Sequence, residues 1–343
     1  MKIDILCPHG SPLTVIPEDI YGRGVGGAEL ALMSLAEQFA KFGHSVTIYN
    51  DPRIAGIHQG VSYEPLRAWN HADERDVAIL FRAPHYTFGA ARGKRIFWSC
   101  DQYTVGNYAT DVFPYVDKVV TISDFHAEYF KSQYQLPSHM LETIGLGVRA
   151  QDYNGQWPLR VPHRAIFCSV PGRGLEVLAA MWPKIVQLVP DASLTITSDY
   201  RLWGNGNPGN HEYRLMFAGL PNVDFRGKVS RAELTQLQRQ AELQLYPCTY
   251  DELFCISTAE CQAAGVVPIT STLGALPTTN IYGIKVPGAP ATEEFQQEFV
   301  HKVFLLWVHP SDLLLTAREL CLKSLQTDFN WEAIALQWET LFE

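Results

Sequence analysis

Short apolar, β-branched runs alternate with amphipathic stretches along nearly the whole chain, and this alternation constrains the fold more than any other feature. Such runs read as strands buried on both faces, and the stretches between them as the helices that cover a parallel sheet. In the first part the strand candidates are Ile3–Leu6, Ser45–Tyr49, Val77–Arg82, Arg95–Ser99, Lys118–Ile122 and Glu142–Leu146. The clearest helix spans Gly27–Phe42, with Leu30, Leu35, Phe39 and Phe42 on one face and Gly43 as its stop. A second series begins at Ala165–Val170 and continues through Ser193–Thr197, Val223–Phe225, Leu243–Tyr246 and Val266–Thr270. Helices fit between its members at Gly174–Leu188, Arg231–Gln240 and Cys255–Ala264. Gly155, Pro158 and Pro162 make Asn154–His163 a poor site for regular structure, and the join falls there.

The 343 residues are too many for one ordinary core, which agrees with two doubly wound α/β units. We expect domains at 1–155 and 156–328, and a closing helix in 329–343 that includes Trp331–Phe342. Net charge is −9, and acids outnumber bases on either side of residue 160, so the basic footprint of a nucleic-acid binder is missing. The seven cysteines are scattered without a C-x-x-C pair, which argues against zinc and dithiol chemistry and suggests a reducing compartment. Met1-Lys2-Ile3-Asp4 runs straight into a strand, and no apolar run approaches the roughly 20 residues of a membrane span. The expected location is cytoplasmic, compatible with peripheral contact at a membrane.

The segment Tyr250–Glu260 is the richest in chemistry. Glu252 and Glu260 are separated by seven residues, the first ahead of a helix and the second about two turns into it. A helix start offers unpaired backbone N–H groups and a positive dipole end, which suits a diphosphate. Glu252 is placed to accept hydrogen bonds from sugar hydroxyls and Glu260 from a ribose. The blander reading makes Asp251 and Glu252 ordinary acids of a first helical turn.

Glu252-x7-Glu260, with Ala263-Ala264-Gly265-Val266-Val267-Pro268 and Gly274-Ala275-Leu276-Pro277 after it, resembles the donor site of retaining glycosyltransferases of family 4. Gly26-Gly27-Ala28-Glu29, Thr121–Phe125, Gly145–Val148, Ser169–Leu175 and Phe225-Arg226-Gly227-Lys228-Val229 match other family segments in order. The resemblance covers about residues 3 to 343. It implies the GT-B fold: two Rossmann-like, doubly wound domains facing across a cleft, with the last helix crossing back to the first. It also implies a retaining, metal-independent hexosyltransferase with no cofactor. Its donor would be a UDP- or GDP-linked sugar, and its acceptor a hydroxyl of a glycan, lipid or small molecule.

By the same resemblance, Arg173, Glu252 and Asp101 are the catalytic candidates. The donor would be bound by Gly26, Gly27, Arg173, Lys228, Val229, Glu252, Leu253, Phe254, Cys255 and Glu260, and the acceptor by Asp101, Tyr103 and Tyr21. Three positions depart from the family pattern. Arg173-Gly174 matches its Lys-Gly without the usual upstream base, Cys100 stands where relatives have histidine, and Thr278 replaces the usual glutamate. These changes keep an alternative open: a catalytically silent or donor-hydrolysing relative, such as a sugar-nucleotide binding protein or an epimerase.

Other candidates are weaker. Gly22, Gly24 and Gly27 match the G-x-G-x-x-G of dinucleotide-binding folds, but the first strand ends at Leu6, far ahead of Gly22. His126 reads as a surface residue opening a helix, Trp98 as core at a strand end, and Asp73-Glu74-Arg75-Asp76 as a solvated turn.

Overall fold

The computed structural model describes residues 1–8, 14–102, 107–203, 210–308 and 312–343. It divides into two compact units, Met1–Leu146 with Trp331–Glu343, and Gly147–Asn330.

The first unit is built on β1 (Lys2–Leu6), β2 (Ser45–Tyr49), β3 (Gly56–His58), β4 (Val61–Glu64), β5 (Val77–Phe81), β6 (Lys94–Trp98), β7 (Lys118–Thr121) and β8 (Leu141–Thr143). Their order in the sheet is β3-β4-β2-β1-β5-β6-β7-β8, with only the β3–β4 pair antiparallel. Every side chain of β5 is buried, as expected of a central parallel strand covered on both faces. The β3–β4 hairpin was not visible in the sequence; its strands are too short to show a period. Asp4 on β1 is fully buried and takes the Arg75 Nε at 2.7 Å, while the Arg75 guanidinium also lies 4.3 Å from the Trp69 ring centroid. Arg75 is thus an interior cation, not a member of a solvated turn.

The helix Trp331–Glu339 belongs to this first unit. Trp338 fixes it there, with ring centroids 5.1 Å from Trp98 and 6.4 Å from Phe39. At the same face His44 Nε2 meets Glu339 Oε1 at 2.6 Å. Trp98 is therefore core, and it faces an element contributed from the far end of the sequence.

The second unit holds β9 (Arg164–Phe167), β10 (Ser193–Ile196), β11 (Val223–Phe225), β12 (Leu243–Tyr246), β13 (Val267–Ser271) and β14 (Ile284–Val286), all parallel, in the order β11-β10-β9-β12-β13-β14. Phe167, Leu178, Trp182, Leu245, Ile269 and Phe299 fill its core. This unit begins at Gly147, ahead of the expected boundary at 155. The reason is local: Asp152 and Tyr153 reach Arg231 and Gln238 on the helix Arg231–Gln240, which ties the intervening turn to the second sheet. Among the described residues no helix is long and apolar enough to cross a membrane.

Candidate active site

In the second sheet, β9 connects outward to β10 and β11, and the chain then returns to place β12 on the other side of β9. The strand order reverses between β9 and β12, and in doubly wound folds ligands bind off the carboxyl ends of the strands at such a point. Arg173 lies on the loop after β9, and Glu252 on the loop after β12. The two meet: Arg173 Nη1 is 2.9 Å from each Glu252 oxygen. Glu252 is only 4% exposed, and the Tyr246 hydroxyl donates to its Oε1. Ser169 Oγ in turn lies 3.0 Å from that hydroxyl. Three hydrogen bonds on a carboxylate with about four lone-pair sites leave one acceptor site on Oε2.

The Arg173 guanidinium also lies 4.4 Å from the Tyr250 ring centroid. Burial opposes its charge, but Glu252 beside it raises the guanidinium pKa above its ordinary value. Two glycines make the arrangement possible. Gly174 has φ +118°, and a Cβ there would stand 2.4 Å from the Pro247 carbonyl oxygen. Gly274, at φ +59°, lies so close to Glu252 that a Cβ would fall 2.2 Å from its carbonyl oxygen. The next residue, Ala275, donates its N–H to that same oxygen at 2.6 Å.

The helix after Glu252 is Ile256–Ala263, with no acid in its first turn. Glu252 precedes it and is buried, so the reading as a simple helix-dipole acid fails; Asp251 is exposed. Cys255 caps the helix at φ 73°, a left-handed conformation that is uncommon for a residue with a side chain. Leu253, Phe254 and Cys255 are buried, and Phe254 packs edge-on to Phe329. Thr258 and Ala259 N–H donate to the Cys255 carbonyl, whereas the Ile256 and Ser257 N–H groups have no acceptor among the described residues and face the helix start, where an anion is favoured.

Glu260, 3% exposed, accepts from Arg231 Nη1 at 2.6 Å, and Arg231 Nε donates to Asp152 Oδ2 at 2.8 Å. Lys228 and Val229 are half-buried on the loop after β11. The Lys228 N–H donates to Asp199 Oδ2 at 3.1 Å. Asp199 is also held by Arg201 through both N–H and guanidinium.

The first unit has its own reversal, between β1 and β5. Gly26 caps the helix Gly27–Lys41, and Glu29 in its first turn is buried. Arg82 follows β5, at φ 68°, and binds Asp101 bidentately through Nε at 2.5 Å and Nη2 at 2.8 Å. Its Nη1 is 3.4 Å from Glu29 Oε1. Burial raises the Glu29 carboxyl pKa, against the pull of Arg82. Cys100 is half-buried, and burial pushes its thiol pKa well up. Tyr21 is about half exposed, and Tyr103 lies outside the described residues.

His126 is fully buried, contrary to the surface position expected. Ser123 caps its helix and accepts the His126 N–H at 3.1 Å, which turns the ring inward. Nδ1 accepts the Ile122 N–H at 3.3 Å, so Nε2 carries the proton toward Ser99 Oγ, 3.4 Å away. Burial lowers this imidazole pKa to about 3, so it is neutral.

Sequence reasoning missed Arg82, which reads as the last residue of a strand. It also missed Arg231, whose carboxylate partners are distant in sequence and leave no local signal. Among the described residues no group of three or more His, Cys, Asp or Glu side chains could hold a metal ion.

Residues 165–303 match the family model of the glycosyl transferases of group 1. That segment contains β9 to β14, Arg173, Glu252 and Glu260, so the match falls within the second unit. No curated protein matches the sequence. Among solved structures, the chain resembles sucrose-phosphate synthase from Thermosynechococcus elongatus, at 18% identity over 100% of this chain and 98% of that one, with a TM-score of 0.73. The fold is GT-B. A glycosyltransferase from Rickettsia africae is similar at 17% identity over 99% and 98%, TM-score 0.73. Anabaena HepE, solved in complex with UDP-glucose, is similar at 16% identity over 99% of each chain, TM-score 0.71.

Proposed function

We propose that this GT-B protein is a retaining, metal-independent glycosyltransferase moving a hexose from a nucleotide-diphosphate sugar to a hydroxyl acceptor. The observation that carries the reading is the Arg173–Glu252 pair at the reversal point of the second sheet. It sets a fixed cation beside a carboxylate with one acceptor site left, next to a helix start. Such a site suits a diphosphate joined to a sugar: Arg173 and the amides near Phe254 and Cys255 take the phosphates, and Glu252 takes a sugar hydroxyl. Glu260 takes the ribose, and Lys228 adds a donor for the phosphates. Asp101 and Tyr21, with Tyr103, serve the acceptor.

Departure of the diphosphate leaves an oxocarbenium-like sugar, and preorganised donors at the leaving group stabilise that state more than the bound donor. In a front-face reaction the leaving phosphate accepts the acceptor's proton, so a buried, neutral His126 and a cysteine at position 100 are no obstacle. UDP-glucose, named with the HepE structure, is the first donor to try.

One observation favours the second reading, a donor-hydrolysing or silent relative. The Thr278 hydroxyl donates its one proton to the Ala275 carbonyl at 2.9 Å, so this position offers a ligand no free donor and no carboxylate. A thermal-shift screen of UDP and GDP, followed by donor turnover with and without an acceptor panel, separates the readings. Stabilisation by a nucleoside diphosphate with acceptor-dependent turnover is the expected result. Binding without turnover supports the silent relative, and no binding of either nucleotide sinks both.

A further inference from the structure

Arg231 opens the helix Arg231–Gln240 and is 8% exposed, yet it sits between two carboxylates drawn from distant parts of the chain. Asp152 holds it through Nε and Glu260 through Nη1, and both acids are buried. Two acids and one base make an expensive interior cluster, and replacing such clusters with apolar side chains of similar volume often leaves stability unharmed or improved. Stability alone is therefore a poor reason for it.

The cluster is also incomplete. Arg231 Nη2 is buried with no partner, and Glu260 Oε2 takes no hydrogen bond among the described residues. Native buried polar groups are nearly always satisfied, so one salt bridge with an unspent donor and an unspent acceptor marks a network finished by something else. A vicinal diol fits that description, since each hydroxyl both donates and accepts.

We infer that Arg231 is the positioning residue for Glu260: it fixes the carboxylate through Oε1, so that Oε2 is presented to the ribose diol of the nucleotide. This rests on the donor-site reading above and deepens it. Asp152 is the far anchor, holding the guanidinium so that its fork cannot swing off Glu260. The side chains that flank the cluster have other partners. The Tyr153 hydroxyl donates to Gln238 Oε1 at 2.8 Å, and Arg239 donates to the Asp152 and Asn154 carbonyls.

The test is calorimetric binding of UDP against 2′,3′-dideoxy-UDP, or of the guanosine pair if GDP binds more tightly. A hydrogen bond from a sugar hydroxyl to a charged, fixed acceptor predicts a preference for the ribose form of about tenfold or more in the unaltered protein. Glu260→Gln should bring the ratio near one. Arg231→Gln and Arg231→Lys should do nearly the same, with affinity for the dideoxy form kept within about twofold. A merely structural Arg231 would weaken both nucleotides together and leave the ratio alone. If Arg231→Gln does not fold, Arg231→Lys keeps the charge but loses the fork that spans both acids. A full ribose preference in a folded Arg231 variant, with Glu260→Gln having lost it, overturns this inference and leaves the donor site intact. No preference in the unaltered protein removes Glu260 from the ribose, and this inference with it.

Discussion

Arg173 Nη1 is 2.9 Å from both oxygens of Glu252, so the two residues assigned to opposite ends of the donor hold each other in the ligand-free fold. Removing the arginine strands a buried carboxylate and, in the proposed site, strips charge from the leaving group. Arg173→Ala should cut turnover by about 10²–10³, the order seen for single oxyanion donors. Arg173→Lys should recover part of it, since a point charge does not replace a planar fork on phosphate. Lys228→Ala is the comparison. Near-native turnover for Arg173→Ala, with loss in Lys228→Ala, would move the phosphate charge to Lys228.

Glu252→Gln and Glu260→Gln should differ in kind. In the proposed site the first change removes a contact to the transferred sugar, so turnover should drop while nucleoside diphosphate affinity stays close to native. The second should weaken the nucleotide itself by about 1.5–3 kcal/mol, the worth of a hydrogen bond to a charged group. Calorimetry with steady-state kinetics reads both, and indistinguishable behaviour of the pair would refute the assignment of sugar and ribose.

Turnover should survive a strong chelator. In the proposed site a guanidinium and a helix start supply the positive field that a divalent ion supplies elsewhere. Activity lost in chelator and restored by manganese or magnesium would show that the leaving group is stabilised differently.

Gly274→Ala should be among the costliest single methyl additions in the second unit. Its φ of +59° disfavours any side chain, and the new Cβ would fall 2.2 Å from the Glu252 carbonyl oxygen and 2.4 Å from its nitrogen. Backbone atoms cannot rotate aside, so we expect a loss of more than about 1 kcal/mol, with turnover falling because Glu252 shifts. Denaturant midpoints and kinetics on the purified variant measure each part. Unchanged values for both would mean that this contact is not tight.

His126 should make the fold acid-sensitive. Its folded pKa is about 3, whereas an unfolded imidazole takes its proton near 6.5. Below roughly pH 6.5 the unfolded chain binds a proton that the folded chain refuses, so stability falls steadily from there toward about pH 3. Above that window this residue contributes no slope. Urea midpoints at several pH values should show a shallower fall for His126→Gln than for the native protein; equal slopes would contradict the buried neutral ring.

The alternation of strands and helices was legible because a sheet covered on both faces leaves long apolar runs, as in Val77–Phe81 and Leu243–Tyr246. Glu252 and Glu260 were legible because two acids bracketing an apolar helix start are conspicuous. Arg82 was hidden by continuity with its strand, and Arg231 by the distance in sequence to Asp152 and Glu260. The inward turn of His126 depended on the cap at Ser123 and on the Ile122 amide, neither of which a single residue's polarity reports.

Trp338 seals the face of the first unit formed by Phe39 and Trp98, and the whole of the second unit lies between them in the chain. During synthesis, then, Gly147–Asn330 is out of the ribosome before the first sheet receives its last helix. The earlier-made sheet must wait with that face uncovered while the later-made one closes. The second unit is in effect a passenger inserted in the first. A truncation just short of Trp331 would spare the second unit and leave the first permanently unfinished, a natural handle for separating the assembly of the two.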